Sequence, residues 1–196
     1  MGIINCRWFQ QHPIEYESQL EKRFVYSALL CPGIREIKSQ PFTLPLAPGS
    51  YTPDFLLDYG DQMIVIEVKP SSKITKYIEV FDWASRFLQE FGIRFYVATE
   101  QGIDREDGAC VSAAAEILRY AKSEVDGAIR RSVLTAFGQD EEVQLVELER
   151  RAAIPREVVM HLLALRWIAL QAGSGIEDHA HVRIARYEPE TALLEF

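Results

Sequence analysis

Ile64, Val65, Ile66 and Val68 make an apolar run that predicts a strand buried on both faces, yet Glu67 and Lys69 sit at its end. Charges placed there are desolvated and need partners or a metal ion. In a strand, residues two apart project from the same face, so Glu67 and Lys69 point together. The run Met63–Lys69 follows Asp54–Tyr59 across a turn at Gly60-Asp61, which predicts a hairpin. Antiparallel pairing sets Asp54 opposite the charged end of the second strand. Two carboxylates and an ammonium then converge.

Such a set suits phosphodiester hydrolysis. Hard oxygen ligands favour Mg²⁺, with Mn²⁺ as substitute, to neutralise a phosphate and acidify a bound water. Lys69 is placed to orient or deprotonate the attacking water, or to stabilise charge in the transition state. Glu21, on a preceding helix, is the candidate third carboxylate. Asp54, Glu67 and Glu21 are therefore the expected metal ligands. Short strings such as Pro-Asp and Glu-x-Lys also arise by chance, so their surroundings carry the weight.

Those surroundings are ordered. Ile14–Leu30 reads as one helix, apolar at Ile14, Leu20, Phe24, Leu29 and Leu30 and ended by Pro32-Gly33. Ile34–Leu46 reads as a strand, with Pro41 marking an edge or a bulge. After the hairpin, Lys73–Phe91 is an amphipathic helix stopped at Gly92, and Arg94–Thr99 is a further strand. The sum is an αβββαβ order. A polar stretch, Glu100–Gly108, marks a boundary, dividing the chain into residues 1–103 and 104–196.

Beyond it the pattern is helical: Val111–Lys122, Val125–Phe137, about Val143–Ala152, and a helix opened by Ile154-Pro155 that runs to about Gln171. A turn at Ala172–Gly175 and an alternating strand at His181–Arg186 follow. Helix, turn, helix and a short β element is the order of a winged helix. His179-Ala180-His181 reads as a wing loop rather than a metal pair. Arg150, Arg151, Arg156 and Arg166 could meet DNA, but Glu141, Glu142, Glu147, Glu149 and Glu157 share the stretch and argue for protein contact. Trp83 and Trp167 are read as core.

The net charge of −8 is unusual for a DNA-binding chain and implies weak affinity for DNA without partner proteins. The three cysteines, Cys6, Cys31 and Cys110, are far apart and read as buried thiols, not as a zinc site or disulfides. No apolar run reaches the roughly 18 residues that span a bilayer, and no signal-peptide core opens the chain. The expectation is a cytoplasmic protein.

Glu17–Glu21, Ser39-Gln40-Pro41, Tyr51–Leu56 and Ile66-Glu67-Val68-Lys69-Pro70 together resemble the TnsA transposon endonucleases, members of the PD-(D/E)XK superfamily. The likeness spans about Ile14–Thr99, with the motifs in order. It implies an α/β restriction-endonuclease-like core, a mixed sheet flanked by helices, followed by a small helical winged-helix-like domain. It places the catalytic positions on Glu21, Asp54, Glu67 and Lys69. Glu17, one helical turn before Glu21, is the rival carboxylate or a neighbour of the site. Gln40 shapes the site or contacts DNA, and Lys73 and Lys76 are candidates for phosphate contact. The resemblance further implies cleavage of the non-transferred strand at transposon ends in double-stranded DNA. The partners would be a TnsB-like DDE transposase and a TnsC-like AAA+ ATPase, acting on the bacterial nucleoid. A stand-alone restriction, anti-phage or Holliday-junction nuclease on the same core is the alternative.

Overall fold

A computed structural model describes residues 1–104, 109–122, 125–171 and 174–185. The chain divides into two compact units: Met1–Leu29 with Ile34–Ile103, and Leu30–Gly33 with the described residues from Asp104 onward. Parts of the expected Glu100–Gly108 loop and Ala172–Gly175 turn, together with Arg186, lie outside the described residues.

In the first unit, β1 (Gly2–Ile4) pairs with β2 (Ile14–Tyr16), and α1 follows at Gln19–Leu30. The single helix expected over Ile14–Leu30 is thus a strand and a shorter helix. Ser18 causes the break, its hydroxyl accepting from the Glu21 N–H at 3.1 Å as an N-cap. Ile14 is fully buried, but from a strand. The strand expected over Ile34–Leu46 also divides, into β3 (Glu36–Ser39) and β4 (Leu44–Leu46). Gln40 lies between them at φ 44°, in the left-handed region that ends a strand. β4 turns back on β5 (Gly49–Tyr51) to form a separate hairpin with Leu44 opposite Tyr51.

β6 (Phe55–Asp58) and β7 (Met63–Val68) form the expected antiparallel pair, with Phe55 opposite Ile66. α2 (Ile74–Gln89) crosses over to β8 (Arg94–Ala98), which runs parallel to β7. The result is a mixed four-stranded sheet, ordered β3-β6-β7-β8. Its two faces are covered by different helices. Leu56 and Val65 cluster with Ala84 and Leu88 of α2, while Phe55 stacks on Phe24 of α1 at 5.4 Å between ring centroids. A short helix, α3 (Glu100–Ile103), stands where a loop is expected.

The second unit contains α4 (Ala109–Ile117), α5 (Gly127–Phe137), β9 (Glu142–Gln144), α6 (Leu145–Ala152), α7 (Arg156–Ala164), β10 (Ile168–Leu170) and β11 (His181–Ile184). The three strands form an antiparallel sheet ordered β10-β11-β9. Strands take the place of parts of two helices that the sequence implies. Val143 belongs to β9, and the helix expected to reach Gln171 ends at Ala164, after which Arg166 takes φ 58° and β10 begins. The core centres on Leu145, Leu148, Val159, Leu162 and Val182. Trp167 is not core: it is 37% exposed, beneath the Arg130 guanidinium at 3.9 Å from its ring centroid. Cys6 is buried and Cys31 partly so, and neither is in a disulfide. Among the described residues, no helix is long and apolar enough to cross a membrane.

Candidate active site

The pairing of β6 and β7 determines the site. Phe55 opposite Ile66 is the last rung, so the next step places Asp54 beside Glu67. Asp54 stands just outside the strand, and its Oδ2 accepts the Val68 N–H at 2.7 Å. Glu67 shares its face with Val65, and Glu67 is only 3% exposed. Its two oxygens have different partners. The Lys69 ammonium lies 2.6 Å from Oε1, and the Tyr51 hydroxyl donates to Oε2 at 2.7 Å.

The electrostatics follow from burial of like charges. Asp54 is raised from 3.8 to about 7, first by desolvation and then by the neighbouring Glu67, with a smaller push from Glu21. The Val68 N–H and the Lys69 ammonium oppose this rise. Desolvation pulls Lys69 down, but its hydrogen bond and attraction to Glu67, with help from Asp54, leave it raised overall. Lys69 is therefore a cation at neutral pH. Tyr51 is pushed up by burial and by Glu67, so its hydroxyl keeps its proton and acts as a donor.

Glu21 reaches this region from α1, on the opposite side of the sheet from the Val65 face. It is 9% exposed, and its Oε2 accepts the Glu17 N–H at 2.7 Å. Glu17, Glu21, Gln40 and Asp54 line one cleft, whose free space is ≈ 20 Å³. The Gln40 amide donates to Glu17 Oε1 at 3.1 Å, and the Gln40 N–H donates to the Asp54 carbonyl at 2.8 Å. Asp54 is thus the link between the two sides, coupled to Glu67 on one and Glu21 on the other. Among the described residues, no three carboxylates, histidines or cysteines are gathered closely enough to form a metal cage.

Lys73 and Lys76 follow the site in sequence. Lys76 lies 5.2 Å from the centroid of the Tyr77 ring, whose other cationic neighbour is Lys69 at 5.5 Å. Lys73 is exposed in the turn that leads into α2. Two contributors were not singled out from sequence. Tyr51 was visible only as part of a motif, and no local signal shows that its hydroxyl meets Glu67. Ser18 was detectable, because Ser18-Gln19-Leu20-Glu21 has the S-x-x-E form of a helix-capping box.

No curated protein matches the chain. Residues 31–100 match the family described as TnsA-like endonuclease N terminal, a stretch that holds Tyr51, Asp54, Glu67 and Lys69 but begins after Glu21.

Proposed function

We propose that the protein is a Mg²⁺-dependent endodeoxyribonuclease subunit that cuts the non-transferred strand, at its 5′ end, at transposon ends. The observation that carries this reading is the meeting of Asp54, Glu67 and Lys69 at one end of the β6–β7 pair, inside the TnsA-like stretch. The donor chemistry fits a divalent ion. Asp54 and Glu67 are neighbouring hard carboxylates; burial first and Glu67 second hold Asp54 near 7, and a bound cation offsets both costs. Asp54 and Glu67 would hold the ion, with Glu21 added if its carboxylate leaves the Glu17 N–H. When bound, Mg²⁺ supplies charge neutralisation at the scissile phosphate and a more acidic water.

The chain's own residues do the rest. Lys69, kept cationic by Glu67, is an electrostatic partner for negative charge developing on phosphate and not a general base. Burial of Glu67 keeps competing water from its carboxylate. Gln40 ties the Asp54 backbone to Glu17 and holds the two sides of the cleft in register.

The second unit supports a winged-helix reading. Its order α5, β9, α6, α7, β10, β11 and its sheet order β10-β11-β9 match a helix-turn-helix followed by a β wing. Its arginines support protein contact over DNA contact. Arg150 and Arg151 bind Glu147, Arg151 also binds Asp140, and Arg156 binds Glu149 and Asp178. Arg166 is partly buried and donates to the Cys31 carbonyl at 3.2 Å. The expected partners are a DDE transposase that cuts and joins the other strand and an AAA+ ATPase regulator. The test is a strand-resolved assay on labelled transposon ends with those partners. Lys69→Ala should abolish cutting of the non-transferred strand and spare joining of the other. Loss of both, or of neither, would reject the assignment.

A further inference from the structure

We propose that Tyr51 is the positioning residue that fixes the Glu67 carboxylate for ion binding, a role that rests on the nuclease reading above. Glu67 has two partners, and they differ in kind. Lys69 lies just past the end of the same strand, two residues from Glu67, and its flexible side chain lets the ammonium turn from Oε1 to a phosphate. Tyr51 comes from outside the four-stranded sheet, on the β4–β5 hairpin. It is therefore a reference point independent of the strand that carries Glu67.

That reference point is held firmly. The Tyr51 ring meets Phe95 edge-on at 6.5 Å between centroids and packs on the cluster containing Leu44, Val65 and Ala84. Next to it, the Thr43 and Thr52 hydroxyls bond across the hairpin at 2.8 Å. A carboxylate oxygen has two lone pairs, so Oε2 can accept from Tyr51 and still face a cation. Without the hydroxyl, the Glu67 carboxylate can rotate when Lys69 leaves, and ion binding must then bear the cost of ordering it. The phenol is a better clamp than a second ammonium, because it orients the carboxylate without cancelling its charge.

The experiment is calorimetric titration of the full chain with Mn²⁺, comparing wild type, Tyr51→Phe and Thr43→Val. Tyr51→Phe removes one oxygen and keeps the ring packing. Thr43→Val removes the cross-hairpin hydroxyl bond and leaves Tyr51 in place. The expected result is about tenfold weaker Mn²⁺ binding for Tyr51→Phe, at the low end of what outer partners of ligands contribute. Thr43→Val should bind like wild type, and all three proteins should melt at similar temperatures in chelator. The Mn²⁺ concentration that half-supports cleavage should rise by the same factor in Tyr51→Phe and be overcome by added ion. Equal affinity in Tyr51→Phe and wild type would overturn the inference and leave the nuclease reading standing. An equal loss in Thr43→Val would also overturn it, by tracing the effect to the hairpin's stability. Failure of the wild type to bind Mn²⁺ would reject the nuclease reading and this inference with it.

Discussion

Asp54 keeps its proton up to about 7 when no ion is bound, and this sets two measurable behaviours. A divalent ion must displace that proton, so binding below pH 7 is coupled to proton release. Mn²⁺ affinity should rise with pH up to about 7 and level off above it. Calorimetry at pH 6 in buffers of different ionisation enthalpy should show close to one proton released, and a buffer-independent heat would contradict this. Stability moves the other way. The unfolded chain ionises Asp54 near 3.8, while the folded chain resists until about 7. The unfolded state therefore binds fewer protons across that window, and the ion-free protein loses stability as pH rises through it. Asp54→Asn retains an acceptor for the Val68 N–H and removes the charge. At pH 8 without metal it should be more stable than wild type by about 2 kcal/mol, a value already discounted for partial exposure. Near pH 4 the two should melt alike.

At the scale of elements, α1 combines a folding role with a proposed chemical one. Ser18 caps its first turn, and Glu21 bonds back to the Glu17 N–H, so Glu21 secures the helix start as well as facing the cleft. The two roles separate by substitution. Glu21→Gln keeps an acceptor oxygen and should fold with wild-type stability yet fail to cut. Glu21→Ala should fail to cut and also lose about 1 kcal/mol, the usual worth of a helix cap. Equal melting of the two variants would remove the capping role. Gln40 offers a parallel test at the break between β3 and β4. Its φ of 44° strains any residue with a Cβ, so Gln40→Gly should be about 1 kcal/mol more stable than Gln40→Ala, both lacking the bond to Glu17.

These two places also show where the sequence is readable. The β6–β7 hairpin was legible because alternation, a Gly-containing turn and misplaced charges all agree on one register, and register alone sets Asp54 beside Glu67. The span Ile14–Leu30 was misread because apolar spacing fits a helix, while Ser18, a stronger local signal, sits inside it. Ile34–Leu46 was misread because Gln40 is not a residue that announces a left-handed turn. The Tyr51–Glu67 bond was not legible at all, since a separate hairpin brings the hydroxyl in from outside the sheet. In the second unit, three-residue strands such as β9 and β10 are too short to show a period of two, so helical neighbours absorbed them.

Across the whole molecule, charge sets how the proposed nuclease would meet DNA. The net charge is −8, most of it in the residues from 104 onward, and Arg150, Arg151 and Arg156 are paired with carboxylates. Glu147 is held down to about 2 by Arg150 and Arg151, so these pairs stay ionised at any pH of interest. Cations held in such pairs are less available to replace counterions along a phosphate backbone, the step that drives autonomous DNA binding. The first unit offers a local group of cations, with Lys69 and Lys76 both near the Tyr77 ring and Lys73 exposed close by in sequence. Two or three phosphate contacts give a shallow salt dependence, with a slope of about −2 to −3 in log affinity against log salt. The isolated protein should therefore bind duplex DNA weakly at physiological salt and cut it slowly, and cutting should be rescued by partners that bring the transposon ends. Lys73→Ala with Lys76→Ala should lower the partner-free salt slope by about 2 and matter less once partners hold the DNA. Fast, salt-resistant cutting by the chain alone would refute this dependence and favour a stand-alone restriction-type enzyme on the same core.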